Sequence, residues 1–352
     1  MALLTWPIYT MFDAYTPRPP LEFIIHGMFS VPSVNIVYGA PGSLKSMLLA
    51  DACMCIVKGV PWLDGIMGEP GIKTKKHNAL WIDFDNGSRR SHERFDALGK
   101  AHQVDPAEGF FYASMGTPWL DMTKTGLVMS LIDTIEHYQT DFIVIDNLGV
   151  VSGDADENTT EMIAVMGNLR LLAERAQCAV VVIHHQRKGN SVVVTRQGDS
   201  LRGHSCIESA IDLALRVERE ANSDTVTVKA TKARGFDVPP FGALFSYDHQ
   251  PGTVELSSAQ FWGIEIVNDT SDAAIDTTIL DVLTEEDEMN QKDLIRAVKE
   301  DMEKVGVNRV RGRLALLVKL GKVDERDKPG KSRAKLYSIC AAQQALHFTP
   351  RP

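Results

Sequence analysis

Residues 35–50 read NIVYGAPGSLKSMLLA, and the expected architecture of the chain follows from this stretch. An apolar run ends at Gly39, a short loop containing Gly42 follows, and Lys45 and Ser46 open a second apolar run. A strand, a glycine-containing loop and a helix in this order direct backbone N–H groups and the positive end of the helix at one anion. The order predicts a phosphate-binding loop, in which Lys45 neutralises the β- and γ-phosphates and Ser46 holds Mg²⁺ through its hydroxyl.

The loop departs from the common pattern GxxxxGK[ST] at one position. Leu44 stands immediately before the lysine, where the pattern has glycine, and it brings a Cβ into a crowded loop. An ordinary strand, turn and helix is the alternative interpretation, although the flanking runs favour a phosphate loop. The predicted nucleotide contacts come from nine consecutive residues: Gly39, Ala40, Pro41, Gly42, Ser43, Leu44, Lys45, Ser46 and Met47.

Two further apolar runs end in carboxylates. DFIVIDN, residues 141–147, places Asp146 where a buried strand would deliver an acid to the Mg²⁺ water shell, although an acid there is also a common way to begin a loop. ALWIDFDNG, residues 79–87, carries Asp83 and Asp85 on the same side of a strand. We expect Asp85 to deprotonate the attacking water and Asp83 to bind neighbouring backbone, with capping of the next loop by both as the alternative.

A fourth run, VVVIHHQRK at residues 180–188, ends in paired histidines. We expect His185 to sense the γ-phosphate. A zinc site is disfavoured, because adjacent strand residues point to opposite faces and no third ligand lies nearby in the sequence. The polar stretch 186–204 is either a surface loop or a grip for a nucleic-acid backbone, and its cations are Arg187, Lys188, Arg196 and Arg202.

TVTVKATKARG, residues 225–235, places Lys232 and Arg234 two positions apart at the end of a predicted strand. Such cations can reach the γ-phosphate of a nucleotide bound by a neighbouring subunit. Taken without the other motifs, they would be a solvated strand end.

Between about residues 34 and 247, short apolar runs alternate with longer amphipathic ones, which predicts an α/β fold with a mostly parallel central sheet. The predicted strands are Val34–Tyr38, Ala79–Phe84, Phe110–Ser114, Phe142–Ile145 and Ala179–Ile183. The predicted helices are Lys45–Val57, Ser91–Ala101, Leu127–Tyr138 and Thr160–Ala176. Shorter alternating runs then predict an antiparallel extension of the sheet: Leu213–Val217, Thr225–Ala230 and Ala243–Tyr247.

A small winged-helix domain is predicted after residue 274. It consists of three amphipathic helices and a hairpin: Ile275–Leu283, Gln291–Met302, Val307–Leu320, Val323–Asp327 and Ala334–Ile339. In the third helix, Val307, Val310, Leu314, Leu317 and Val318 are expected to face the core. The same helix and the wing supply the cations expected on duplex DNA, with protein docking or a solvated face as the alternatives: Arg309, Arg313, Lys331 and Arg333.

These patterns divide the chain into an N-terminal arm at 1–30, an ATPase domain at 31–262, a linker at 263–274, the winged helix at 275–340 and a tail at 341–352. Residues 304–335 hold eleven Lys or Arg and three Asp or Glu, so a basic module accompanies an acidic body in a chain of net charge −9. Five scattered cysteines favour a reducing cytosol, and the short apolar runs and the absence of a signal pattern argue against a membrane.

Together the motifs resemble the RecA-like ATPases, in particular the RepA-like branch of hexameric replicative helicases with its phage and plasmid relatives, over about residues 20–247. DFDNGSRRSHERFDALG, residues 83–99, matches the stretch after the family's second strand and puts Asp85 at the catalytic position, one methylene shorter than the usual Glu. DSLRGHS, residues 199–205, resembles the stretch after the channel loop, and Lys232-Ala-Arg234 resembles the arginine-finger strand.

The resemblance implies ATP and Mg²⁺ as cofactors and a ring, usually of six subunits, with ATP at the interfaces and single-stranded DNA in the channel. The N-terminal arm, with Trp6, Tyr9, Phe12 and Tyr15, would pack either on a neighbour or on its own domain. The leading hypothesis is a DNA-dependent ATPase of the helicase or translocase type. A recombinase-like filament on single strands and an ATP-gated DNA-binding regulator are the alternatives.

Overall fold

The computed structural model describes residues 8–65, 68, 70–153, 160–185, 205–219, 223–264, 272–286, 288–302, 305–327 and 335–340. The chain divides into two compact units, Met1–Ile266 and Val267–Pro352. Within the described ranges, no helix has the length and apolar character that crossing a bilayer requires.

The first unit alternates strands with helices, as its sequence predicts. Its helices are α1 (Met11–Tyr15), α2 (Lys45–Lys58), α3 (Ser88–His102), α4 (Thr125–Tyr138), α5 (Leu148–Val151), α6 (Thr160–Ala176) and α7 (Ser205–Ala210). Its strands are β1 (Glu22–Ile25), β2 (Phe29–Val31), β3 (Ser33–Gly39), β4 (Asn78–Asp83), β5 (Phe110–Ser114), β6 (Thr140–Asp146), β7 (Ala179–His185), β8 (Leu213–Arg219), β9 (Thr225–Ala233), β10 (Phe241–His249) and β11 (Leu256–Ile264).

Nine strands form one sheet in the order β11-β10-β9-β8-β3-β7-β6-β4-β5. The strands from β5 to β8 in this order are parallel, whereas β8, β9, β10 and β11 pair antiparallel with one another. The predicted α/β fold with a mostly parallel sheet is therefore confirmed. The antiparallel extension starts one strand later than expected, because β8 runs parallel to β3.

Both faces of the sheet are covered, which explains why its central strands read as continuous apolar runs. Val34, Ile36 and Tyr38 of β3 point into a core that includes residues of α4 and α6. Val37 points to the other face, into a core that includes residues of α2 and α3. The carboxyl ends of the parallel strands, where Gly39 lies, are left at one edge of this sandwich.

The N-terminal part differs from the predicted arm at 1–30. Strands β1 and β2 pair antiparallel, and Ile24, Ile25 and Phe29 are completely buried in the core beside α2. The short apolar pairs that do this are too brief to give a periodic signal. Of the predicted arm aromatics, Tyr9, Phe12 and Tyr15 lie in the described range and are at least 75% exposed, so they do not cover their own domain. Trp6 lies outside that range.

Strand β11 was not predicted, and it carries the first unit to Ile264, past the expected boundary at 262. Its sequence, LSSAQFWGI, mixes small polar with aromatic residues, yet Ala259 and Phe261 are buried. An edge strand of this kind needs only half its residues to be apolar.

The second unit contains α8 (Asp272–Glu285), β12 (Met289–Asn290), α9 (Gln291–Asp301), α10 (Val307–Lys319), β13 (Val323–Asp327) and β14 (Lys335–Ile339). The strands form an antiparallel sheet in the order β12-β14-β13, of which the two-residue β12 was not predicted. Val310, Leu314 and Leu317 of α10 are buried as expected. Val307 is 37% exposed, which corrects that part of the prediction, because the residue opens the helix beside Gly306.

Candidate nucleotide site

The loop after β3 has the backbone geometry of an anion cradle. A Cβ at Gly39 would lie 2.3 Å from the carbonyl oxygen of Val217, so this position requires glycine. Gly42 and Leu44 both have positive φ angles, 77° and 65°. Leu44 therefore takes the left-handed conformation that glycine adopts without strain, while its side chain packs partly buried against the core beside α2.

Lys45, the first residue of α2, is buried and folds back over this loop. Its Nζ donates to the carbonyl oxygens of Gly39 at 3.1 Å and Ala40 at 2.8 Å, and to the Oγ of Ser43 at 3.3 Å. Burial lowers the pKa of Lys45 to about 8, while the charges of Asp146 and Asp85 act in the opposite direction. The ammonium thus lies at the loop, with two carboxylates close enough to affect its protonation.

Asp146 ends β6 next to Asp83 of β4, its register partner. It is fully buried, and neither of its carboxylate oxygens has a hydrogen-bond partner among the described residues. Burial raises the pKa of Asp146 to about 7, and the charges of Asp83 and Asp85 raise it further. The hydroxyl of Ser46, a nearby donor that forms no well-aligned hydrogen bond to either oxygen, and the charge of Arg94 act to lower it. A buried carboxylate without donors is unfavourable unless a cation compensates it.

Asp83 and Asp85 have different surroundings, as their different positions along the chain at the end of β4 predict. The carboxylate of Asp83 is buried and accepts hydrogen bonds from the backbone N–H groups of Asp85 and Asn86 at 3.0 and 2.8 Å, and from the Ser91 hydroxyl at 2.7 Å. The expectation that Asp83 binds neighbouring backbone is confirmed. Asp85 is 44% exposed at the mouth of the strand, where the Nδ2 of Asn147 donates to its Oδ1 at 3.1 Å.

The paired histidines divide as alternation along a strand requires: His184 is buried, and His185 lies at the sheet edge. The Nε2 of His185 is 3.8 Å from the Oδ2 of Asp85. Burial lowers the pKa of His185, the nearby charge of Lys45 lowers it further, and Asp85 raises it. Asp85, Asp146 and His185 each offer one ligand atom within 4.8 Å of the others.

The structure thus brings together Lys45, Asp85, Asp146 and His185, which the sequence spreads over 141 positions. The surroundings fit Mg²⁺, because this ion prefers carboxylate oxygens and keeps waters and phosphates as its remaining ligands. Asp146 supplies two free oxygens among the described residues, and Ser46 lies close enough to lower its pKa.

Two residues near this edge were missed by the sequence analysis. Asn147 caps α5 and holds Asp85, and its only signal was its place directly after the predicted metal acid. Arg219 ends β8 and donates from its Nη1 to the carbonyl oxygen of Gly42 at 3.1 Å. No local pattern identifies this arginine, because the contact spans 177 residues.

Lys232 and Arg234 lie far from the loop of their own chain. Lys232 pairs with Ala214, which pairs with Ile36 in the middle of β3. The backbone N–H of Arg234 donates to Asp212, whose own N–H donates to Val34 near the amino end of β3, so this strand end lies away from Gly39. Both cations are bound within the chain: the Nζ of Lys232 donates to the carbonyl oxygen of Glu208, and Arg234 pairs with a carboxylate oxygen of Asp212 at 3.2 Å.

The residues predicted to bind DNA are only partly described. Arg187, Lys188, Arg196, Arg202, Lys331 and Arg333 lie outside the described residues. Arg309 is exposed on α10. Arg313 was expected to point outward, which is wrong: it forms a two-pronged ion pair with Asp276 of α8 and is only 20% exposed.

A phosphate loop at the carboxyl edge of a mostly parallel sheet, facing a strand-end acid, defines the class of P-loop nucleotide-binding ATPase domains. The profile described as "AAA domain" matches residues 9–191, just over half of the chain. The chain belongs to this AAA domain family, and membership implies nucleotide binding, typically with Mg²⁺. A comparison with curated proteins gives no match.

Proposed function

We propose that the protein is a DNA-dependent ATPase of the helicase or translocase type that works as a ring of subunits, in the manner of the RepA-like helicases. The observation that carries the proposal is the convergence of Lys45, Asp85, Asp146 and His185 at one edge of the sheet, with both oxygens of Asp146 unpartnered among the described residues.

Each residue has a role that its surroundings support. Lys45 leaves the loop carbonyls to bind the β- and γ-phosphates, and Asp146 with Ser46 holds Mg²⁺. When bound, the metal ion neutralises charge that develops on the phosphates. Asp85, exposed and oriented by Asn147, accepts the proton of the attacking water, and His185 responds to the γ-phosphate.

A neighbouring subunit completes the site. Arg234 is level with Val34 near the amino end of β3, Lys232 is level with the middle of that strand, and both side chains donate to α7, so neither is placed to serve its own loop. In a head-to-tail assembly the same two cations face the next subunit's nucleotide. This geometry supports the proposal that assembly into a ring, expected to be hexameric, is required for fast hydrolysis.

DNA contact is assigned to two places. Residues 186–204 directly follow β7, which ends in His185, and they carry four arginines and lysines for single-stranded DNA in the channel. The second unit, which we interpret as a winged helix, would hold duplex DNA through α10 and the β13–β14 hairpin, with Arg309, Lys331 and Arg333 as contacts. The basic balance of residues 304–335 supports this interpretation.

The experiment is a steady-state ATPase assay with and without single-stranded DNA on the wild type and on Asp85→Asn. We expect DNA to stimulate the wild type, and we expect Asp85→Asn to lose roughly 100-fold in kcat, because its amide accepts no proton. Asp133→Asn, at an exposed position of α4, is the matched control and should behave as wild type.

The outcomes separate the alternatives. An ATPase that ignores DNA contradicts the proposal and favours an ATP-gated regulator. DNA-stimulated hydrolysis without strand displacement removes the helicase but keeps the translocase. Open helical filaments in negative-stain images, in place of closed rings, favour the recombinase-like alternative.

A further inference from the structure

The last turn of α7 is held by three cationic side chains from other elements. Three consecutive carbonyl oxygens each accept a hydrogen bond from a different one. The pairs are Glu208 with the Nζ of Lys232, Ser209 with the Nη2 of Arg234 at 3.0 Å, and Ala210 with the Nη2 of Arg170 at 2.9 Å. Cations at a helix C-terminus satisfy carbonyls that have no partner within the helix. Arg170, on α6, thereby joins the two proposed trans-acting cations in one cluster.

Asp212 is the centre of this cluster. Its Oδ2 accepts from Arg170 at 2.7 Å, and its Oδ1 pairs with Arg234 at 3.2 Å. Its position is fixed by the central sheet, since the backbone N–H of Val34 donates to its Oδ2 at 2.9 Å. The carboxylate is only 14% exposed, so its interactions are weakly screened by solvent.

The two arginines are held unequally. Arg170 is 29% exposed and makes the shorter contact to Asp212, whereas Arg234 is 56% exposed and makes the longer one. Arg234 and Arg170 also line a surface cavity of about 460 Å³ beside α6 and α7. Arg234, the more exposed of the two, can therefore leave the cluster and contact a neighbouring subunit, while Arg170 remains paired with Asp212.

The remaining charges around the cluster are acidic. Glu174 lies 3.8 Å from Arg170 and is 54% exposed, so solvent screens it. The charge of Glu208 acts to raise the pKa of Lys232, so this carboxylate interacts with that lysine. Among the described carboxylates near Arg234, Asp212 is the least exposed. It competes with a neighbouring subunit's nucleotide for Arg234, and the attraction is weaker when Arg170 neutralises part of its charge.

We propose that Arg170 is a positioning residue: by pairing with Asp212 it weakens the attraction of that carboxylate for Arg234, so that Arg234 can move to a nucleotide bound by the neighbouring subunit. The inference rests on the proposed trans role of Lys232 and Arg234. Arg170 itself contacts Asp212 and the carbonyl oxygen of Ala210, so its proposed effect is exerted through Asp212.

The sign of the effect follows from the competition. If Arg170 is removed, Asp212 loses one of its two cationic partners, and its carboxylate would hold Arg234 more tightly within its own subunit. The neighbour's site would then lose its cation even though Arg234 is still present. Removing the negative charge from Asp212 as well should release Arg234 again, and an asparagine there can still accept from Val34.

The test is the DNA-stimulated ATPase activity of Arg170→Ala, of the double variant Arg170→Ala/Asp212→Asn and of the control Arg175→Ala, which removes an exposed cation from the same helix. We expect Arg170→Ala to lower kcat roughly tenfold with little change in the KM for ATP, and the double variant to regain most of that loss. The kcat of Arg175→Ala should match that of the wild type. The kcat of Arg170→Lys should lie between those of Arg170→Ala and the wild type.

A double variant less active than Arg170→Ala would overturn the inference, because a purely structural cap of α7 predicts additive damage. An Arg170→Ala protein with wild-type kcat would do the same. Thermal unfolding of each variant shows whether the fold is kept.

The underlying proposal is tested separately by mixing Lys45→Ala with Arg234→Ala subunits. Hydrolysis in the mixture above that of either parent indicates a site shared between subunits. If Arg234→Ala alone keeps wild-type activity, the trans role itself is wrong.

Discussion

Among the described residues of the first unit, two groups of acid and histidine place their ligand atoms close enough to hold a metal ion, and they differ in whether the carboxylate is already hydrogen-bonded. Both carboxylate oxygens of Asp51, on α2, have partners. The Nε2 of His102 lies 2.6 Å from Oδ1, and the backbone N–H of Phe261 donates to the same oxygen at 3.0 Å. The indole N–H of Trp62 donates to Oδ2 at 3.0 Å. Around Asp146, also fully buried, neither oxygen has a partner among the described residues.

The difference separates an acid whose oxygens are used by the fold from one whose oxygens are available to a ligand. The Asp51 cluster ties α2 to the end of α3 and to β11, and its Cys55, 3.8 Å from the Nδ1 of His102, is held as a thiol because burial raises the pKa. It offers a metal ion no free carboxylate oxygen. The Asp146 cluster has unpartnered oxygens beside the phosphate loop, where a bound cation would compensate them and a phosphate would be a further ligand of that cation.

The largest effect should come from neutralising the satisfied acid. Asp51→Asn replaces one acceptor oxygen by an NH₂ group that faces the N–H donors of Trp62 or Phe261, so we expect a loss of about 3–5 kcal/mol in the free energy of unfolding. Urea denaturation followed by circular dichroism measures it.

Asp133→Asn is the control for Asp51→Asn, because the side chain of Asp133 is exposed on α4. A loss for Asp51→Asn no larger than that of this control would show that the Asp51 network contributes little to stability.

Neutralising the unpartnered acid should have the opposite effect on the fold. Asp146→Asn removes a buried charge whose burial outweighs the favourable effects of Ser46, Arg94 and Lys45, so we expect unfolding at about pH 8, above the pKa of the native carboxyl, to require at least as much urea as in the wild type. ATPase activity should fall roughly 100- to 1,000-fold. A strongly destabilised Asp146→Asn protein would erase the distinction between the two clusters.

The sequence predicted the functional cluster better than the structural one. Asp146, Asp85 and His185 each end an apolar run, and parallel strands bring such ends to one edge. Asp51 lies inside a helical apolar run, and its partners come from positions 11, 51 and 210 residues away, so no local pattern marks it. Whether a buried carboxylate has hydrogen-bond donors depends on residues far away in the sequence. The sequence therefore predicted where Asp146 lies, but not that its oxygens lack partners among the described residues.

The same reason explains the error at Arg313. Its helical position predicted an outward cation, but its partner Asp276 lies 37 residues earlier, on α8. Strands β1 and β2 were missed because four-residue and three-residue strands carry too few residues for a periodic signal.

A smaller effect concerns Leu44, the residue before α2, the helix that carries both Lys45 and Asp51. Because its φ angle is 65°, a β-branched residue is strongly disfavoured there and glycine is not. We expect Leu44→Val to be less stable than Leu44→Gly by about 1–2 kcal/mol, and to bind ATP more weakly. Thermal unfolding and ATP titration measure the two; the reverse order would mean that the loop has another conformation.

The smallest effect extends the distinction to arginines on α10. Arg313 is satisfied by Asp276, whereas Arg311 is exposed and forms no ion pair with a described residue. Arg311→Ala should weaken duplex DNA binding several-fold at low salt and reduce its salt dependence by about one phosphate contact. Arg313→Ala should instead lower stability. Fluorescence anisotropy at several salt concentrations measures the DNA affinity of both variants. An equal loss of affinity in the two would contradict the distinction between an ion-paired Arg313 and an exposed, DNA-contacting Arg311.

The most direct test of the nucleotide site is a calorimetric titration of the wild-type protein with ATP, in Mg²⁺ and again in EDTA. If Asp146 and Ser46 hold the ion that bridges to the phosphates, ATP should bind in Mg²⁺ at sub-millimolar concentration and roughly tenfold or more weakly in EDTA. No binding at millimolar ATP, or equal affinity in both buffers, would contradict the account.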